Sequence, residues 1–359
     1  MQDNINENQD DKSHQDNKKN IPFIRHSLTY RLQYVRIIFI FIFCFYLIDG
    51  FSVLLSDFYV NSAEFKKAYI IQNTLFKLSN NFVFKNTYYP MNKQFMIGNI
   101  NFLAGDIEKS FYAYKLVHKN IKLTKFNKNL YCDNLFSLAL SYYLYGNYNC
   151  SKIHLNKIPV DILLKNNDIC TLGLIMNLYF IIGDYENAEN FYKYVKNFKG
   201  KNEEEKYLKN ISILKYKILQ NIEPIDENIV LQLDRYISMA SSLNSKCDII
   251  LTLYNYYNLK KDRNKKNHYL EKLQREIGIA QPSFFDINLI FIVSNLLYNE
   301  NKISEAISTL NSAYPVYKSI YFDNDNDINK CYIYYQQKYS GKNNEQNILC
   351  DNLLNREKL

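Results

Sequence analysis

The sequence contains little glycine and proline and no tryptophan. Its 359 residues include only 9 glycines and 6 prolines, where average usage of roughly 7% and 5% corresponds to about 25 and 18. Folds with many tight turns, and enzymes built on Gly-rich phosphate-binding loops, use glycine for positive φ angles and for close backbone approach. The scarcity therefore disfavours those classes and favours α-helices joined by short polar connections.

The cysteines are scattered, and no two of them form a CxxC pair. They are Cys44, Cys132, Cys150, Cys170, Cys247, Cys331 and Cys350. A disulfide scaffold or a zinc module typically shows closer, paired spacing. The pattern favours reduced thiols in a cytosolic protein. The formal charge of +8 is mild for this length and indicates solubility and weak attraction to acidic partners rather than a fold.

The N-terminal region combines a polar tail with the longest apolar run of the chain. Residues 1–26 are predicted to be a disordered polar tail, because they hold too few apolar side chains to offset the cost of ordering. The run at 37–55 follows Arg25, Arg31 and Arg36, and its mean hydropathy is that of a membrane span. Its uninterrupted part extends only from Ile37 to Ile48, however, and so short a run is typical of a buried core helix.

A helical repeat is clearest at 172–198. Leu172, Ile175, Met176 and Tyr179 have the i, i+3, i+4, i+7 spacing of a helix that buries one face. A Gly-Asp-Tyr turn follows at 183–185, and Ala188 is small enough to let a second helix approach the first. Related patterns predict turns near 105, 146, 183, 221, 261 and 301, a period of about 40 residues.

The period of about 40 residues also predicts the role of the apolar run at 37–55. Counting back one period gives a turn near 60, with 63–78 as a second helix and the apolar run as its partner. Single helix hairpins cannot bury their apolar faces alone, so neighbouring hairpins must stack into a superhelix. The sequence therefore predicts an all-α, TPR-like helical-hairpin solenoid over 27–320, with the apolar run as a core helix and 321–359 as a C-terminal helical cap or tail.

Four segments resemble a known family. They are RLQYVRIIFIFIFCFYLIDGF at 31–51, the segment 88–119, the paired units at 135–198 and the charged hairpin at 249–276. In this order they resemble the tetratricopeptide (TPR) subunit of the TRAPP vesicle-tethering complex (trafficking protein particle). The resemblance implies a non-catalytic scaffold subunit that binds other protein subunits in transport between endoplasmic reticulum and Golgi. It places the protein in the cytoplasm at those membranes.

No coherent catalytic or cofactor motif accompanies the repeats. The sequence has no P-loop, GxSxG or GxGxxG motif, so we predict no cofactor, no small-molecule substrate and no enzymatic activity. Cys150 and His154 share a helix face, but two ligands are too few for a metal site. The acids at 203–205 are predicted to lie in a solvated linker. The basic residues at 260–266 are predicted to form an exposed inter-helix turn rather than a nucleic-acid site.

The most informative polar residues are four asparagines at one repeat position: Asn99, Asn177, Asn255 and Asn295. First helices line the inner surface of such a superhelix, so these amides are predicted to form a row along a partner groove, where they could pair with a peptide backbone. Simple packing explains the pattern equally well. Two other functions stay open: a membrane-anchored repeat protein of an organelle with a span at 37–55, and an RNA-binding helical-repeat protein. Membrane contact through Arg25, Arg31 and Arg36 also stays open.

Overall fold

The computed structural model describes Phe43, Thr124 and the ranges 47–60, 64–81, 89–122, 127–166, 168–221, 225–240, 243–279, 287–320, 327–342 and 346–355. The chain divides into two compact units, Met1–Leu55 and Ser56–Leu359. Of the first unit, the description covers only Phe43 and residues 47–55, which are helical. The second unit carries the fold and the candidate site.

Every regular element among the described residues is an α-helix, which confirms the predicted fold class. The helices are α1 (47–60), α2 (Phe65–Asn81), α3 (Tyr89–Leu103), α4 (Ile107–Asn120), α5 (Lys128–Leu144), α6 (Tyr148–Leu155), α7 (Val160–Asn166), α8 (Ile169–Ile181), α9 (Tyr185–Asn197), α10 (Glu203–Gln220), α11 (Glu227–Met239), α12 (Leu243–Leu259), α13 (Arg263–Ile279), α14 (Ile287–Asn299), α15 (Ile303–Ile320), α16 (Asp327–Tyr339) and α17 (Ile348–Asn355).

The hairpin turns share one backbone conformation. Each of seven turns has a residue in the left-handed region, with φ between 54° and 84°: Gly105, Gly146, Gly183, Asn221, Lys261, Asn301 and Gly341. The turn predicted near 60 lies partly outside the described ranges. The seven left-handed positions recur along the chain at a nearly constant interval, so the six turns predicted from 105 to 301 are confirmed. The seventh, at Gly341, joins α16 to α17 and was not predicted. The repeat therefore continues into the C-terminal segment.

The residue after the left-handed position ends one helix and begins the next. At the turn of Gly183, the backbone N–H of Asp184 donates to the carbonyl of Tyr179 at 2.8 Å, which closes the last turn of α8. The carboxylate of Asp184 accepts from the N–H of Asn187 and caps α9. Asp106 and Asn147 do the same for α4 and α6. One Gly-Asp or Gly-Asn pair thus specifies a complete turn.

The core is continuous along the stacked hairpins. The predicted stripe Leu172, Ile175, Met176 and Tyr179 is buried, and Ala188 is fully buried where α9 approaches α8. First helices of successive hairpins pack on one another, α8 on α10 and α10 on α12. A short additional helix, α7, lies between α6 and α8. The hairpins are thus joined into one solenoid.

Two sequence-based expectations are wrong. Glu203, Glu204 and Glu205 belong to the first turn of α10 rather than to a linker, and Asn202 caps that turn by accepting from the N–H of Glu205 at 2.8 Å. Three acids in a first turn complement the positive end of the helix dipole. The second correction concerns the cysteines, because Cys331 and Cys350 form a disulfide. Their sequence separation of 19 gave no sign that α16 and α17 bring them together.

Several predictions lie outside the described residues. These are the tail 1–26, the basic residues Arg25, Arg31 and Arg36, and most of the apolar run at 37–55. The described end of that run is helical, and its Leu47, Ile48 and Phe51 side chains are exposed. No helix within the described part of the chain has both the length and the apolar character needed to cross a bilayer. The interpretation of the run as a core helix stays a prediction.

Candidate protein-binding surface

The four predicted asparagines occupy one structural position. Each lies on a first helix, six residues before the left-handed residue of its turn: Asn99 on α3, Asn177 on α8, Asn255 on α12 and Asn295 on α14. In the two other predicted hairpins, Leu140 and Lys215 take this place. Lys215 pairs with Asp248 of α12 at 2.7 Å. The row is thus polar along most of its length.

The environments of the four amides differ. Asn99 is half-buried and its Oδ1 accepts from the Tyr114 hydroxyl at 2.8 Å, which ties α3 to α4. Asn177 is fully buried, so its amide packs inside the solenoid. Asn255 and Asn295 are half-buried, and Asn295 lines a cleft. A binding role for the row stays a prediction, with Asn255 and Asn295 as the amides in reach of a partner.

Distant parts of the solenoid are in contact, which the repeat spacing did not indicate, and α16 makes the first half of this contact. The Asp327 carboxylate accepts from the backbone N–H of Glu108 at 2.9 Å and so helps to cap α4. The N–H of Ile328 donates to the carbonyl of Gly105 at 3.2 Å. The Tyr145 hydroxyl also donates to Asp327, at 3.3 Å. The start of α16 is therefore docked on the α3–α4 turn.

Helix α17 makes the second half of the contact. The Asn352 amide donates to the carbonyl of Tyr143 at 2.9 Å, at the C-terminal end of α5, where the same carbonyl also accepts from the backbone N–H of Gly146 at 2.9 Å. The Ile348 side chain lies against Gly146 in the next turn. The same helix packs on α14. Because α17 bridges α5 and α14, the solenoid closes on itself.

A cleft of about 390 Å³ lies where α14, α16 and α17 meet. It is lined by Ile292, Asn295, Leu296, Asn299, Lys338, Asp351, Leu354 and Asn355. Lys338 and Asp351 form an ion pair at 3.8 Å between α16 and α17. Amide groups that can donate and accept, together with aliphatic side chains, suit a peptide segment better than a charged small molecule. Only Asn295 of this set was predicted.

Two charged groups of the basic stretch at 260–266 contact neighbouring residues, while Lys261 and Arg263 are exposed as predicted. Lys266 pairs with Glu300 at 2.7 Å, and the Lys265 ammonium lies 4.8 Å from the centre of the Tyr257 ring. These contacts engage two of the ammonium groups that would otherwise be available to bind the phosphates of a nucleic acid. Glu300 belongs to the neighbouring hairpin, so the stretch also joins two repeats.

His118, His154 and Asp133 are among the groups whose pKa values are shifted by burial. Burial lowers the pKa of both His118 and His154, whose rings lie 5.2 Å apart on α4 and α6. The Nδ1 atom of His154 lies 2.8 Å from the carbonyl oxygen of Cys150. Within the described ranges, no group of three or more potential ligands could hold a metal ion. Burial, with help from Asp168, raises the pKa of Asp133 to about 6.

The described residues define the class of this protein: an all-α solenoid of helical hairpins whose turns recur at a nearly constant interval. No family model matches the sequence. Over 277 residues it is 24% identical to "Protein Ycf2" of Physcomitrium patens, a match that covers 74% of this chain and 11% of that protein. The chain thus spans about a tenth of the length of the curated relative it matches, and the likeness assigns it to no family.

Proposed function

We propose that this chain is a non-catalytic scaffold subunit that holds other protein subunits in a multisubunit complex. The observation that supports this most directly is the position of α17. The surface between α5 and α14 binds a helix through an amide–carbonyl hydrogen bond and aliphatic contacts. A surface that accepts one helical segment in this way has the chemistry to accept another. Stacked hairpins also present extended surfaces for partners.

The particular complex is proposed from the sequence resemblance. The segments at 31–51, 88–119, 135–198 and 249–276 favour a vesicle tether of the TRAPP type in transport between endoplasmic reticulum and Golgi, on the cytoplasmic side of those membranes. The described helices α3–α6, α8, α9, α12 and α13 supply hairpins where three of these segments require them. On this account the chain contributes surface, and other subunits contribute any exchange chemistry.

Affinity purification of the tagged full-length chain, followed by mass spectrometry, tests this function. We expect tether subunits to be recovered with the unmodified chain. The double variant Asn255→Ala and Asn295→Ala should reduce their recovery at least tenfold, because each change removes a half-buried amide from the predicted row. Asn258→Ala is the matched control, since Asn258 is exposed on the same helix as Asn255. Its recovery should equal that of the unmodified chain.

Each alternative gives a different result in the same experiment. Recovery of organelle membrane proteins, with a chain that resists carbonate extraction, would support the membrane-anchored alternative. RNA recovery that falls steeply with salt would support the RNA-binding alternative. Either result without tether subunits would overturn the proposed complex. Equal recovery with the double variant and the control would show that the asparagine row only packs.

A further inference from the structure

The Cys331–Cys350 disulfide joins α16 to α17. The noncovalent contacts that hold these two helices differ in extent. Helix α16 is anchored by stacked aromatic rings, with Tyr298 and Tyr339 at 4.7 Å, and by the Asp327 cap on α4. Helix α17 has only eight residues. Helices this short are marginal in water unless packing holds them. The disulfide therefore matters far more to α17 than to α16.

The polar contacts of α17 are individually weak. Besides the Asn352 bond already described, Asp351 accepts from the Tyr334 hydroxyl at 3.2 Å and pairs with Lys338 at 3.8 Å. A partly exposed pair of this kind contributes little to stability. The Tyr335 hydroxyl donates to the carbonyl of Cys350. Without the covalent link, contacts of this strength and the packing of eight residues must hold the helix.

Helix α17 also covers the candidate binding surface. Asp351, Leu354 and Asn355 form one wall of the cleft whose other wall carries Asn295 and Asn299. Release of α17 would remove that wall and would leave the carbonyl of Tyr143 with its backbone bond from Gly146 alone. The surface that α17 occupies would then be open to another helical segment.

We propose that this disulfide is a redox switch: in the oxidised chain it holds α17 on the surface between α5 and α14, as one wall of the cleft, and its reduction by a dithiol releases α17 and opens that surface. This inference rests on the proposed cytoplasmic scaffold function, because disulfides in a reducing compartment are usually transient and redox-sensing. In an oxidising compartment the same bond would be permanent.

The exchange is balanced. One thiolate of the dithiol attacks a cysteine sulfur, the S–S bond breaks, and a mixed disulfide forms. The second thiol of the reductant displaces the remaining cysteine, which leaves two cysteine thiols and the oxidised, cyclic disulfide of the reductant. Both cysteines are fully buried, so the attack follows local opening of the eight-residue helix α17. A small-molecule disulfide reverses the reaction.

Hydrogen exchange on the full-length chain, with and without dithiothreitol, tests the switch. In the oxidised chain we expect the amides of 348–355 to be protected. Reduction should increase their exchange at least tenfold while leaving α8 and α9 unchanged. Cys331→Ala should behave like the reduced chain under both conditions, since it removes the bond and leaves the α17 sequence intact. Cys247→Ala, which removes a buried free thiol, should behave like the unmodified chain.

A peptide of residues 346–355, with serine in place of Cys350, provides a second readout. It should bind at least tenfold more tightly to the reduced chain or to Cys331→Ala than to the oxidised chain. Unchanged protection of α17 on reduction would overturn the proposal, and so would loss of protection throughout the solenoid, which would make the bond a structural staple. Neither measurement contains a partner subunit, so failure here is distinct from failure of the purification that tests the proposed function.

Discussion

Gly105→Ala is expected to destabilise the protein much more than Gly183→Ala, although both glycines occupy the same kind of turn. Their φ angles are +79° and +84°, so a left-handed alanine at either position costs about 1–2 kcal/mol. At Gly183 the new Cβ would meet nothing within 4 Å. At Gly105 it would lie 2.2 Å from Cγ1 of Ile328, and α16 would have to move.

The additional loss of unfolding free energy at Gly105 depends on the docking of α16 on the α3–α4 turn. Overpacking of this kind typically costs about 1–3 kcal/mol, so we expect urea unfolding to give a loss of about 2–5 kcal/mol for Gly105→Ala. Ile328→Gly is the diagnostic partner, because it removes both Cγ1 and Cβ of Ile328, which would lie 2.2 Å and 2.8 Å from the new methyl carbon. In that background, Gly105→Ala should cost no more than Gly183→Ala does. Equal costs for the two glycine variants in the unmodified chain would show that α16 does not dock on this turn.

The second large effect is expected at Leu214, in the hairpin formed by α10 and α11. Leu214 on α10 is fully buried, whereas Leu231 on α11 is 59% exposed. Leu214→Ala should cost about 2–5 kcal/mol, because it removes core contacts and leaves a cavity. Leu231→Ala is the control and should change the free energy of unfolding by less than about 0.5 kcal/mol.

The unfolding profile adds a second criterion. Since α10 packs on both α8 and α12, the loss at Leu214 should weaken the coupling between hairpins on its two sides and broaden the denaturant transition. Thermal and urea unfolding, followed by circular dichroism, measure both quantities. A loss below about 1 kcal/mol with an unchanged transition would mean that this hairpin is not part of the continuous core.

The helices and turns were predictable because local chemistry specifies them. Gly-Asp pairs such as Gly105-Asp106 and Gly183-Asp184 end one helix and cap the next, and apolar spacing marks the buried face between such turns. The seventh turn at Gly341 follows the same period. Counting one further period beyond Asn301 predicts it. Asn347 then caps α17 by accepting from the N–H of Cys350.

The contacts between distant hairpins were not predictable in this way. Repeat spacing places Asn177 and Asn295 at the same position, but packing fully buries only the first. Gly173, one turn before Asn177, lets α10 approach so closely that a Cβ there would lie 2.2 Å from the Ser212 hydroxyl oxygen. This close approach seals the face that carries Asn177. The docking of α16 and α17 and the Cys331–Cys350 bond likewise depend on how the superhelix curves.

Closure of the solenoid by its last hairpin is tested most directly by chemical crosslinking of lysines in the full-length chain, read by mass spectrometry. Lys109 pairs with Asp106 at 2.7 Å and Lys330 with Asp327 at 3.5 Å. Asp106 and Asp327 both accept from backbone N–H groups in the first turn of α4. We predict a crosslink between Lys109 and Lys330, lost in Gly105→Ala and restored by adding Ile328→Gly. Its absence in the unmodified chain, while crosslinks within single hairpins form, would contradict the closed solenoid.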